Sequence, residues 1–308
     1  MKTCSESVAS SCDTWHYSVY AMRIRSEMFL PGVPQAEWDG EPDVVFRRGT
    51  VNSESSDFVD AGVFWKTAPG LFQISIDDVA TYVVRDGTEV IVQPAPKAND
   101  HDVATFLLGS VMGGLLYQRG LWPMHASTVV TSQGAVLFAG RSGMGKSTLA
   151  AGLQKRGYTL MSDDVSPLEI TGSSVSVFPA VPRIKLKPDA TSELEVDVTG
   201  VRRDHARGKY LTPVERFAEQ PCPVRRIVLL DLTADDHCQI RPVSGPEAIG
   251  LLARATYRRK FMKGLGLHEH HFPRMTALAG LVPLSVLLRP AELKGLDRTL
   301  DSIELLLN

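Results

Sequence analysis

The sequence predicts an α/β protein in which a β-rich amino-terminal region precedes a larger domain built around a phosphate-binding loop. Three observations carry this. Gly140-Arg-Ser-Gly-Met-Gly-Lys-Ser-Thr148 fits the spacing G-x-x-x-x-G-K-[ST]; it follows the apolar run Ala135-Val-Leu-Phe-Ala139 and opens a helical pattern at Leu149. Residues 1–98 alternate apolar and polar side chains in short runs divided by turn dipeptides. The chain has 308 residues, 44% hydrophobic and 22% charged, enough apolar material for one large or two medium domains. Two are expected, over residues 1–98 and 99–308.

In the first region Tyr17–Arg25, Val44–Phe46 and the stretch around Phe72–Ile76 alternate as strands do, and Tyr82–Val92 reads as a hairpin turning at Asp86-Gly87. Nothing in it has a catalytic pattern. Its polar stretch Asn52–Asp57 reads as a solvated loop or as a surface for a partner or peptide substrate. Pro94-Ala-Pro96 is a short stiff connector. Beyond it, Val103–Arg119 carries Leu107, Leu108, Val111, Met112, Leu115 and Leu116 at helical spacing and predicts a buried helix.

The formal net charge of −2 offers no bulk attraction to nucleic acid or to an anionic membrane. No run approaches the roughly 18 apolar residues of a membrane span, and the polar start lacks the order of a signal peptide. Cys4, Cys12, Cys222 and Cys238 show no CxxC spacing, which fits reduced thiols. A cytoplasmic protein is expected, and a homo-oligomer is compatible with the composition.

The loop residues Gly140, Arg141, Ser142, Gly143, Met144, Gly145, Lys146, Ser147 and Thr148 are the expected nucleotide contacts. Their glycines let consecutive N–H groups turn toward one anion, Lys146 adds a point charge, and Ser147 offers a hydroxyl to Mg²⁺. The helix that follows adds its positive dipole end. Leu121–Val130 predicts a strand paired with Ala135–Ala139 through a turn at Ser132–Gly134. That would set His125 beside the loop, either as a phosphate contact or as a satisfied structural histidine. Helix, Gly157 and strand Tyr158–Met161 lead to Ser162-Asp-Asp164. The adjacent carboxylates Asp163 and Asp164 either divide the work there, one coordinating Mg²⁺ directly or through water and the other accepting a hydroxyl proton, or simply close a strand-end turn.

These motifs together resemble HPr kinase/phosphorylase, whose catalytic domain shares a broad class with phosphoenolpyruvate carboxykinase. The match lies in the His125 strand, the loop Gly140–Ser147 and Lys155-Arg-Gly-Tyr-Thr-Leu-Met-Ser-Asp-Asp164. The separations agree with the family pattern as well: His125 lies 146 − 125 = 21 residues before Lys146, and Asp164 lies 164 − 146 = 18 after it. The resemblance implies that Asp164 is the base, that His125 and Lys146 contact the transferred phosphoryl group, and that Ser147 binds Mg²⁺. It implies a P-loop kinase domain of the HPr kinase/phosphoenolpyruvate carboxykinase-like type with an N-terminal β-rich accessory region. Thr148 stands where that family has glutamate, and Phe178–Pro188 stands where it has Glu-Ile-Arg-Gly-Leu-Gly. The whole chain, including Ile24–Pro31, is more similar to the HPr-kinase-like proteins of ribosomal peptide biosynthesis, lasso peptides above all, which phosphorylate a precursor serine.

In the last third, Arg183, Lys185 and Lys187 alternate and either share a phosphate-binding face or are solvated. Arg207 and Lys209, in the basic loop-like stretch Val201–Tyr210, are candidates to stabilise transferring charge. Asp231 ends the apolar run Arg226–Leu232 and is either a rival metal carboxylate or a plain strand end. His268-Glu-His-His271 lacks metal-ligand spacing and reads as a mobile surface segment. Arg254–Lys263 predicts a basic amphipathic helix, and Leu293–Leu307 a closing helix that packs on the sheet. The function expected is Mg-ATP-dependent phosphoryl transfer to a serine or threonine hydroxyl, on a peptide or on a small compound such as serine. A nucleotide-dependent switch using Asp231 is the alternative.

Overall fold

The computed structural model describes residues 14–51, 58–204 and 208–307. Cys4, Cys12, the polar stretch 52–57 and Arg207 lie outside them. Eight strands, β1 Trp15–Val19, β2 Met22–Ser26, β3 Val44–Arg48, β4 Asp60–Ala61, β5 Trp65–Ala68, β6 Leu71–Ile76, β7 Ala80–Arg85 and β8 Glu89–Pro94, form one sheet in the order β1-β2-β3-β8-β7-β6-β5-β4. The β7/β8 hairpin turns at Asp86-Gly87, with φ of 47° and 66°, the left-handed pair of a type I′ turn. Tyr17–Arg25 is not one strand but the hairpin β1/β2. Tyr20 and Ala21 form its turn at φ 55° and 61°, with no Asn or Gly to signal it. Tertiary bonds accompany this turn: the Tyr20 N–H donates to Pro179 O at 2.9 Å, and its hydroxyl to Leu108 O at 3.2 Å.

The predicted buried helix is present as α1 Asp100–Phe106, a π-helical stretch Leu107–Val111 and α2 Met112–Gln118. Asn99 caps its start by accepting from the His101 N–H. Gly114 lets Phe72 approach: a Cβ there would lie 2.3 Å from the ring.

Then follow β9 Trp122–Met124, β10 Ala126–Thr131, β11 Gly134–Ala139, α3 Lys146–Lys155, β12 Thr159–Ser162, β13 Ser166–Thr171, β14 Ser174–Val177, β15 Arg183–Leu186, α4 Pro188–Glu193, β16 Arg203–Asp204, β17 Lys209–Pro213, β18 Cys222–Thr233, β19 Gln239–Pro242, α5 Gly245–Ala255, α6 His268–Leu281, β20 Leu284–Pro290 and α7 Leu296–Leu307. The second sheet centres on parallel β11, β18 and β20; on one side β10 is antiparallel to β11 and β12 antiparallel to β10, and on the other β19 is antiparallel to β20. The first residues of β18 also pair with β14, which continues through β13 to β9. β15, β17 and β16 form a small third sheet.

The apolar run of β11 is continuous because both its faces are buried. Ala135, Leu137 and Ala139 enter the core shared with the first sheet and the α1–α2 helix. Val136 and Phe138 enter a second core roofed by Leu149 and Leu153 of α3 and by Leu300 and Ile303 of α7. The loop therefore springs from a strand clamped on both sides. Among the described residues no helix is long and apolar enough to cross a membrane.

Two expectations are overturned. α5 ends at Ala255, so Arg254–Lys263 is not one helix. Thr256 leaves in extended conformation and forms a β-bridge with Met124, the Tyr257 N–H donates to Pro123 O at 2.9 Å, and Arg258 is left-handed at φ 50°. Pairing with β9 replaces the next helical turn. His268–His271 does lie at the surface, with His268, Glu269 and His270 exposed, but as the first turn of α6 and not as a loose segment, with His271 stacked on Trp122 at 5.5 Å and 3.2 Å from Thr256 Oγ1. No group of three metal-ligating side chains is found among the described residues.

Candidate active site

Between β11 and α3 the chain makes the turn that the motif predicts, with Gly140, Gly143 and Gly145 at φ 150°, 91° and 90°. At Gly145 a second reason for glycine appears. Arg289, from the end of β20, donates through Nε to Met144 O at 3.1 Å, and a Cβ on Gly145 would lie 2.3 Å from its Nη2. Lys146 Nζ donates to Gly140 O and Arg141 O, both at 2.9 Å, so it lies folded on the loop. Burial and the nearby charge of Lys209 push its pKa down to about 8, against the opposite pull of Asp163 and Asp164.

Asp163 is nearly enclosed. Its Oδ1 accepts from Ser147 Oγ at 2.8 Å and from Ser127 Oγ at 2.5 Å, and its Oδ2 accepts the Lys185 N–H at 2.8 Å. Asp164 takes the left-handed conformation, φ 74°. Lys185 Nζ, itself buried, lies 2.7 Å from its Oδ2. His125 Nδ1 lies 3.4 Å from Asp164 Oδ1 and 2.9 Å from its carbonyl oxygen. A carbonyl only accepts, so Nδ1 carries a hydrogen and Nε2 is the nitrogen that titrates. Burial, with the charge of Lys146, lowers the His125 pKa. His125 sits at the bend between β9 and β10 rather than within a strand, and its N–H donates to Ala255 O at 2.7 Å.

A cavity of about 680 Å³ opens over these groups. His125, Ser142, Gly143, Gly145, Lys146, Ser147, Thr148, Asp164 and Lys209 line it, as do Lys185 and Lys187. Gly140, Arg141 and Met144 stand behind this surface and hold Lys146 and Arg289 through their carbonyls. Asp163 lies beneath it, and Ser147 reaches down to it. Arg183 is 9% exposed and is not in the lining; Arg183 and Lys185 are buried rather than solvated. Asp231 is an exposed residue within β18, which runs on to Thr233, and it accepts its neighbour Leu232 N–H at 2.9 Å, away from the cavity.

Sequence reasoning missed the wall formed by Arg254, Thr256, Tyr257 and Arg258, and it missed Arg289. The wall exists only because α5 breaks onto β9. Arg289 carried a weak signal, a lone cation ending an apolar strand. Tyr20 was missed as well: it reaches from the first sheet to Pro179, just ahead of β15 with its Arg183 and Lys185.

No family profile and no curated protein matches the chain. Among solved structures, it is similar to the Hpr(Ser) kinase/phosphatase from Coxiella burnetii, at 17% identity and a TM-score of 0.30, over 60% of this chain and 96% of that one.

Proposed function

We propose that the protein is a Mg-ATP-dependent phosphotransferase that moves the γ-phosphoryl group to a serine or threonine hydroxyl, on a peptide or on a small compound. One observation carries this reading. Ser147 of the phosphate loop is hydrogen-bonded to Asp163, and the next residue, Asp164, presents a second carboxylate to the same cavity beside His125 and Lys146. A phosphate-binding loop alone needs no second carboxylate, whereas transfer to a hydroxyl does.

Ser147 Oγ and the Asp163 carboxylate fit Mg²⁺, a hard cation that takes oxygen ligands. When bound there, Mg²⁺ would neutralise phosphate charge during transfer. The loop N–H groups and Lys146 hold those phosphates. The acceptor oxygen bonds to the γ-phosphorus as the bond from that phosphorus to the β–γ bridging oxygen breaks, and ADP leaves. Lys185 holds Asp164 Oδ2, so Oδ1 takes the hydroxyl proton. Nearby phosphate favours a protonated His125, which then donates to the transferring group.

Peptide acceptors from ribosomal peptide biosynthesis rest on the sequence resemblance alone. Incubation with γ-labelled ATP and candidate acceptors tests the reading: label is expected on a hydroxyl. Release of free phosphate only, with peptides and with small hydroxyl compounds alike, would replace the kinase with a switch.

A further inference from the structure

The cavity has cations on two walls. Lys146 and Arg289 are tied to the phosphate loop. Arg254 and Arg258 stand on the wall that runs beside β9 and His125, where Ala255 O accepts the His125 N–H and the Tyr257 ring lies 5.9 Å from the imidazole. Asp164 is the group that meets the hydroxyl, and His125 lies 3.4 Å from its Oδ1, so this second wall is on the acceptor's side.

The fold presents Arg258 to that side through three separate devices. Its backbone is left-handed, a conformation unfavourable for any residue with a Cβ. Its Nη2 donates to Ser110 Oγ at 2.9 Å, and Ser110 belongs to the π-helical stretch that interrupts α1–α2, a kind of irregularity that gathers at functional sites. Its guanidinium lies over the Tyr257 ring, 5.6 Å from the centroid, and Tyr257 is seated on Gly113, where a Cβ would come within 2.9 Å of the ring. The Arg258 Nε is buried with no hydrogen-bond partner among the described residues. A buried donor in this state, on a fixed guanidinium lining a cavity, calls for an anion.

We infer that Arg258, with Arg254, forms an anion subsite for the phosphoryl acceptor: the acceptor carries a carboxylate or phosphate close to its reacting hydroxyl. The inference rests on the kinase reading above and narrows its substrate class. A neutral hydroxyl compound would leave the Arg258 guanidinium without an anion at this wall, whereas an acidic one pairs with it and with Arg254 and is drawn to the correct wall.

The test uses the full chain with Mg²⁺ and a saturating non-hydrolysable β,γ-imido ATP analogue, so that the γ-phosphate position is filled. Inorganic phosphate and acetate are titrated by calorimetry as probes of the two anion types. At least one is expected to bind, and Arg258→Gln is expected to weaken it about tenfold or more. Arg254→Gln and Ser110→Ala should weaken it less, Arg258→Lys should retain part of it, and analogue affinity should stay within about twofold throughout. Phosphate binding without acetate binding assigns a phosphorylated acceptor, and the reverse a carboxylate. In transfer assays, L-serine compared with its amide, and acidic compared with neutral serine peptides, separate a small acceptor from a peptide. If the analogue binds and neither anion does, or if Arg258→Gln loses the analogue as much as the anion, the subsite is wrong while the kinase reading stands. If the analogue itself fails to bind, both readings fall.

Discussion

The two walls of the cavity are built by opposite means. The loop wall comes from one contiguous stretch whose conformation is written locally, in Gly140, Gly143 and Gly145 and in a strand buried on both faces. The facing wall is assembled from the break after α5, the π-helical stretch that holds Arg258, and β15, which supplies Lys185. Phosphate recognition needs only N–H groups in sequence and a helix end, so a short motif can encode it. Setting a base and an acceptor against that phosphate needs groups from distant parts of the chain. On the function proposed above, the loop wall would govern nucleotide binding and the acid-bearing side transfer, and substitutions should separate the two.

The largest separation is expected for Asp164→Asn. The amide cannot take the hydroxyl proton, so transfer should fall about 10³-fold, within the range for loss of a general base. Affinity for a fluorescent ATP analogue should change by no more than about twofold. Wild-type transfer in this variant would remove Asp164 from the role of base. Equal loss of binding and transfer would merge the two walls into one functional unit.

Lys146→Met should break the other wall, and it should raise stability at neutral pH. Nucleotide affinity should fall about 10- to 100-fold as a charge-assisted contact is lost. Burial, which disfavours the charged amine, pushes the Lys146 pKa in the folded chain down to about 8 from its ordinary 10.5. Between those values the unfolded chain binds the proton and the folded chain does not, so this group makes stability rise with pH across the window. Below pH 8 the buried charge costs on the order of 3 kcal/mol. Loss of the bonds to Gly140 O and Arg141 O offsets about 1 kcal/mol each. A net gain of about 1 kcal/mol, some 2 °C in Tm for a chain of this size, is expected at pH 7. It should shrink as pH rises from 8 to 10.5, as melting curves at pH 7 and 9.5 will report.

What could be read from the sequence divides along the same line. The loop, its strand and helix, the turn at Gly157, the return to Asp163-Asp164 and the hairpin at Asp86-Gly87 are local patterns, and each occupies its expected place. The Tyr20-Ala21 turn was hidden because its left-handed residues carry no Asn or Gly and take tertiary bonds instead. The break after Ala255 was hidden for a related reason: helical spacing continues through Phe261, but pairing of Thr256 with Met124 outweighs it. Arg183 and Lys185 could not be told from a solvated pair, since alternation shows that two cations share a face and not what covers that face.

Lys185→Met tests whether the distant contribution acts on chemistry alone. Nζ holds Asp164 Oδ2 at 2.7 Å, and the Lys185 N–H holds Asp163 Oδ2. The backbone bond survives the substitution, so Asp163 should keep its place and the KM for ATP should hold. Without the ammonium, Asp164 loses its orientation, and kcat should fall about tenfold. A rise in KM at constant kcat would instead make Lys185 a nucleotide contact.

The smallest effect belongs to Asp231→Asn, and its smallness is informative. Asp231 closes the buried apolar run of β18, in the manner of a second metal carboxylate, although the strand itself continues to Thr233. In the parallel register it lies beside Leu288, while Leu230 lies beside Leu287 in the core under α3. Alternation along β18 therefore turns Asp231 to the face away from the helix that carries Lys146 and Ser147. Its carboxylate is exposed and accepts the Leu232 N–H, a bond that an asparagine oxygen reproduces. Transfer rate and Mg²⁺ dependence should both stay within about twofold of wild type, since an exposed strand side chain outside the cavity lining is a plain surface group. A large shift in the Mg²⁺ requirement would move the metal from the strand that follows α3 to the neighbour of β11, and Asp163 would then be only the hydrogen-bond anchor for Ser127 and Ser147.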